Sequence, residues 1–70
     1  SIDLSIITQT AIFIFEFKMK SGSGNALQQI KEKAYYKKYL SENKEIFLLG
    51  IEFDEEIKNI SGFECEKLEV

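Results

Sequence analysis

Seventy residues, 44% hydrophobic and 30% charged with a net charge of −3, read as one small soluble globular domain spanning residues 1–70, and they exclude a disordered chain. The absence of histidine and the single cysteine, Cys65, exclude an internal disulfide, a zinc site and the His-based nucleophile pairs, and point to a reducing, cytoplasmic setting. No apolar run approaches the ~20 residues that span a bilayer, so no membrane partner is expected.

The charge is uneven along the chain. Residues 1–44 hold seven lysines against four acids, whereas residues 45–70 hold two lysines against eight acids. The first part can therefore face a polyanion although the total does not signal one. The chain also opens inside what reads as a strand, which predicts a domain belonging to a longer protein.

Residues 2–8 are β-branched and roughly alternating, which predicts a first strand. Residues 11–18, Ala-Ile-Phe-Ile-Phe-Glu-Phe-Lys, predict a second strand, and the polar break at residues 8–10 predicts an antiparallel hairpin between the two. Because neighbouring side chains alternate in a strand, Ala11, Phe13, Phe15 and Phe17 share one face, and Ile12, Ile14, Glu16 and Lys18 share the other. A strand apolar on both faces belongs at the centre of a sheet. Two charges at its end are costly unless they are paired or bind something.

Residues 20–25 predict a loop, with Ser23 or Asn25 as helix N-cap. Ala26 to about Leu40 has neither Gly nor Pro, and its apolar stripe of Ala26, Ile30 and Ala34 predicts one main helix. Residues 45–53 predict a third strand, parallel to the second, whose Gly50 marks a bulge or a close backbone approach. Residues 54–61 read as an acidic turn and 62–69 as a last, partly exposed strand. The expected architecture is α/β: a mixed sheet in the order β-β-α-β-β, with the helix on one face and the other face requiring a partner. That partner is either a missing N-terminal helix or another chain, and a second copy would give a homodimer through the exposed sheet.

The chemistry gathers at the first hairpin. Turning near residues 9–10 would set Asp3 opposite residue 16, with cross-strand β-carbons about 4.5–5.5 Å apart. Two carboxylates so placed repel unless a cation lies between them. Magnesium or manganese suits such a site, since it takes one or two carboxylates and keeps waters. Lys18, on the face of Glu16, would orient the attacking water and stabilise a charged transition state. Glu-x-Lys is nonetheless common in exposed strands, where the pair is simply solvated. Lys31, Lys33, Lys37 and Lys38 read mainly as a solvated helix face, and Glu52, Asp54, Glu55 and Glu56 as an acidic turn. Gly22 and Gly24 lack the Gly-Lys-Ser/Thr that would hold a nucleotide.

Ile2-Asp3-Leu4 followed by Ile12-Phe13-Ile14-Phe15-Glu16-Phe17-Lys18 resembles the D…ExK core of the PD-(D/E)XK nuclease superfamily. The blocks Ala26-Leu27-Gln28-Gln29-Ile30, Tyr35, Tyr39 and Leu49-Gly50-Ile51-Glu52-Phe53 extend the resemblance. Together they are similar to the nuclease-like domain that follows AAA-ATPase-like domains in bacterial proteins. The resemblance implies a restriction-endonuclease-like fold and Mg2+- or Mn2+-dependent phosphodiester hydrolysis, with DNA as the expected substrate. It implies Asp3, Glu16 and the Phe17 carbonyl as metal ligands and Lys18 as the catalytic lysine. Gln29 matches the family's helix glutamine and Tyr35 its tyrosine. Tyr36, seven residues beyond Gln29, competes with Tyr35 as neighbour of the site. Lys20, Lys31 and Lys33 are candidates to contact nucleic-acid phosphates. The Gly-Arg that usually precedes the Asp strand, and the family's first helix and strand, are missing, so the core is expected to be N-terminally truncated. Two further readings stand beside hydrolysis: an inactive nuclease-fold module for protein interaction or self-association, and DNA binding without cleavage.

Overall fold

Alternation carries the first two strands into one antiparallel hairpin. The computed structural model describes residues 4–22 and 24–69. Leu4–Ile7 forms β1 and Ala11–Met19 forms β2, with Leu4 opposite Phe15 and Ile7 opposite Ile12. Asn-Gly chemistry is absent from the connection, and Thr8 takes its place. Its Oγ1 accepts the Ala11 N–H at 2.9 Å and donates to the Ala11 carbonyl at 3.1 Å, a side-chain turn that closes the loop.

The chain then crosses over the sheet. Asn25 caps α1, Ala26–Lys33, by accepting the Gln28 N–H at 2.7 Å. Of the two cap candidates Asn25 is the cap, while Ser23 lies outside the described residues. The helix expected to reach Leu40 stops at Lys33. Ala34 adopts the left-handed conformation (φ 54°), donates its N–H to the Ile30 carbonyl, and a 3-10 helix follows over Tyr35–Glu42. Tertiary packing accounts for the break: it lets Tyr36 and Tyr39 lie against the core, and the Tyr39 hydroxyl donates to Ser5 Oγ at 3.2 Å. Two helices therefore stand where one was expected.

Glu45–Asp54 forms β3, parallel to β2 in a register that sets Ile12 by Ile46 and Lys18 by Glu52. Asn59–Lys67 forms β4, antiparallel to β3, three residues earlier than expected. The acidic turn is thereby confined to residues 55–58, and Asp54 belongs to β3. Among the described residues the sheet has four strands in the order β1-β2-β3-β4. This mixed α/β arrangement is consistent with a restriction-endonuclease-like fold.

The core lies on one side of the sheet. Ile12, Ile14, Ile46 and Leu48 meet Ile30 of α1, with Leu27, Tyr36, Tyr39 and Leu68 packed around them. Gly50 is where the helix comes closest. A Cβ there would sit 2.5 Å from the Leu27 amide nitrogen, so Gly50 serves a close backbone approach. The bulge falls elsewhere, opposite Glu52 and Phe53. On the other side Phe13 and Phe47 stack at 5.2 Å, and no described element covers them.

Candidate active site

Period-two alternation along β2 puts Glu16 and Lys18 on the helix-covered face, in line with the fully buried Ile12 and Ile14. Both charges lie near the carboxyl ends of the parallel pair β2–β3, where open α/β sheets bind ligands. Glu16 is only 5% exposed, so its carboxylate is almost wholly removed from bulk water. Its β3 neighbour is Gly50, on which the first turn of α1 rests. The start of a helix carries partial positive charge, which favours a carboxylate beside it. Burial of this acid is thus built from three sequence features: the strand alternation, the glycine opposite, and the Asn25 cap that starts the helix there.

Lys18 is half-buried and stands opposite Glu52. Its stem runs toward the turn after β2, and a Cβ on Gly22 would come within 2.8 Å of Lys18 Nζ. Gly22 thus leaves room for the ammonium group. Glu52, on the same face, accepts from the Ser61 hydroxyl at 3.1 Å and lies against Gly62. Glu52 and Gly62, with Asn25, Ala26, Gly50, Phe63 and Glu64, line a hollow of about 260 Å3 at the start of α1.

The other sequence candidates scatter. Asp3 lies outside the described residues. The Phe17 side chain points to the opposite face, half exposed, so only its backbone is on offer to a site. Gln29 is half-buried on α1, its amide near Gly24. Tyr35 is half-buried at the start of the 3-10 helix, with Lys33 Nζ 5.8 Å from its ring centre. Tyr36 packs against the core. Among the lysines, Lys31 pairs with Glu66 at 3.1 Å and Lys20 with Asp54 at 3.3 Å. Among the described residues no three Asp, Glu or Cys side chains gather into a metal-binding cluster.

Two acids grouped with the acidic turn stand on β3, Glu52 within the expected strand and Asp54 one residue beyond it. Glu52 faces Lys18 from β3, a position that its even spacing from Ile46, Leu48 and Gly50 signals. Asp54 is buried at the end of β3 beside a cavity of about 420 Å3, also lined by Lys20, Ser21, Glu55 and Glu56. Burial pushes its carboxyl up, but the Glu56 N–H at 2.9 Å, the Lys20 ammonium and the Ile57 N–H outweigh this and hold it below the ordinary value.

Comparison with known proteins gives this arrangement a lineage. An uncharacterized protein in the vnfD 5' region of Azotobacter chroococcum mcd 1 is 38% identical over 69 residues. That match covers 96% of the present chain and 13% of the relative, so the chain spans about an eighth of the curated protein it matches. No solved structure matches. No helix among the described residues is long and apolar enough to cross a membrane. A profile of the PD-(D/E)XK nuclease superfamily matches residues 1–63, which take in β1, β2, α1, β3 and the Glu-x-Lys pair. The chain belongs to the PD-(D/E)XK nuclease superfamily.

Proposed function

We propose that this domain hydrolyses phosphodiester bonds of nucleic acid, DNA first among them, with a divalent cation. The observation that carries the reading is the placement of Glu16 and Lys18 on one face at the carboxyl end of β2, in a chain of this superfamily.

The donor chemistry fits a hard cation. Glu16 is a nearly water-free carboxylate, and magnesium or manganese needs only one or two such ligands, leaving the rest to water and phosphate oxygens. Asp3, the residue before Leu4, is the proposed second carboxylate, and the Phe17 carbonyl the third donor. When bound, such an ion supplies charge neutralisation and an acidified water. Lys18 offers a cationic donor to the phosphate, where negative charge grows in the transition state, and restrains the attacking water. Lys33, on the helix, and Lys20 and Lys31, after exchanging their carboxylate partners, would meet phosphates. On the sequence resemblance, the expected neighbour in a longer parent protein is an AAA-ATPase-like domain, acting in the cytoplasm.

The test is cleavage of DNA with and without Mg2+, with far-UV circular dichroism to confirm folding. Glu16→Gln and Lys18→Met are each expected to lower the rate at least ~100-fold, the scale of losing one charge-stabilising group. Cleavage unchanged in both folded variants would overturn the assignment.

A further inference from the structure

Lys18 is the last residue but one of β2, and its ammonium group sits on a flexible four-carbon stem. The strand therefore fixes where the side chain begins and leaves open where its charge comes to rest. The turn after β2 supplies that place. A Cβ built on Gly22 would lie 2.8 Å from Lys18 Nζ and 3.4 Å from its Cε. The ammonium group thus occupies the space that a side chain at residue 22 would take.

Neither backbone conformation nor burial asks for a glycine here. Gly24 has a φ of 76°, which favours glycine in its own right, whereas Gly22 lies outside the left-handed region. Gly22 is also exposed. Besides Lys18, its near neighbour is the Met19 carbonyl, 3.3 Å from the built Cβ, a contact that a few tenths of an ångström would relieve. What has to yield to a side chain is the flexible end of Lys18.

The turn is held in place although its sequence is not stiff. Ser21 and the glycines give the loop little rigidity of their own. The Gly22 N–H donates to the Met19 carbonyl at 3.0 Å and closes the turn. The Lys20 N–H donates to the Phe53 carbonyl at 2.8 Å, and the Ser21 hydroxyl to Glu55 Oε1 at 3.4 Å. These bonds tie the turn to the end of β3 without using the Lys20 ammonium, so they persist when that group leaves Asp54.

We infer that Gly22 is a positioning residue for Lys18: by lacking a side chain on a turn tied to β3, it sets where the ammonium group rests at the carboxyl end of β2. The inference rests on Lys18 being the group that meets the phosphate. A reacting group misplaced by about an ångström can lose ~100-fold in rate. An added methyl group should therefore cost turnover rather than binding.

Cleavage of DNA by the full chain in saturating Mg2+ tests this, with circular dichroism on each protein. Gly22→Ala is expected to lower kcat ~10-fold or more and to leave KM within about 2-fold. In a Lys18→Met background the same substitution should cost nothing further, because it acts only through the lysine. Two NMR readings need neither metal nor cleavage. The parent should show an Overhauser contact between the Lys18 ε-methylene and the Gly22 α-protons. Gly22→Ala should shift that ε-methylene and leave the one of Lys67, which pairs with Glu45, unmoved. A folded Gly22→Ala protein that turns over at the parent rate overturns the inference, as does a change in KM alone or a further loss without Lys18. Absence of the Overhauser contact in the parent overturns it before any variant is made. If the parent itself cleaves no DNA, the nuclease reading fails, and the NMR pair decides alone whether Gly22 places Lys18.

Discussion

Asp54 shows how a single carboxylate can be fixed by residues far from it in sequence. Lys20 reaches it across 34 positions, and Glu56 and Ile57 supply backbone donors from the following turn. These donors favour the charged form and outweigh the cost of burial, so the folded-state pKa lies below the ordinary 3.8. The stabilisation this brings is complete above the unfolded-state value and is lost as pH falls through the lower folded value. Lys20→Met removes one hydrogen bond and one opposite charge. Its Asp54 should titrate at higher pH, and acid unfolding should begin at higher pH, while stability at neutral pH changes little because Lys20 is 60% exposed. Carboxyl NMR titration of both proteins reads this directly, and an unmoved Asp54 midpoint in the variant would count against it. The contrast with Glu16 and Lys18 is instructive. Those two were legible because their placement needs only strand alternation, a local rule. The Asp54 site depends on β2 and β3 ending side by side, which no local pattern announces.

Between residues and the whole, the helices show where local reading fails. Ala26, Ile30 and Asn25 behaved as periodicity and capping rules require, and the parallel β2–β3 pairing followed from two doubly apolar strands joined by a long crossover. Nothing in Lys33-Ala34-Tyr35 marks a helix end, since Gly and Asn, the residues that favour a left-handed cap, are absent. The break is imposed from outside the segment by Tyr36 and Tyr39 packing on the core. Its cost is readable, because an L-residue in the left-handed region loses roughly 1–2 kcal/mol. Ala34→Gly removes that cost at the expense of some unfolded-chain entropy, so a net gain of about 0.5–1 kcal/mol is expected. In a domain this small that raises the melting temperature by roughly 2–8 °C. A helix continuous through residue 34 would give the opposite sign, a loss of about 1 kcal/mol, since glycine is poor in helix interiors. Thermal denaturation of the one variant separates the two structures.

At the scale of the molecule, 70 residues folding by themselves would have little stability to spare, burying only roughly 60% of their unfolded surface. Glu16 sits at only 5% exposure, and a cation bound to it would add directly to the stability of the folded state. Linkage turns this into a measurement that needs no catalysis. A ligand that binds only the folded state stabilises by RT ln(1 + [L]/Kd), about 1.4 kcal/mol when the ion stands ~10-fold above its dissociation constant. For a domain of this size the melting temperature should then rise by roughly 5–11 °C in Mg2+ or Mn2+. Glu16→Gln keeps the side-chain volume and removes the charged ligand, so its melting temperature should be indifferent to the ion. Glu45→Gln, on the opposite face, should respond as the parent does. If all three proteins shift equally, the ion acts on the acidic surface at large, and the proposed role of Glu16 as a metal ligand fails even though the fold stands. If only the Glu16 variant loses the shift, the buried acid of β2 is a cation site, whatever substrate the domain acts on.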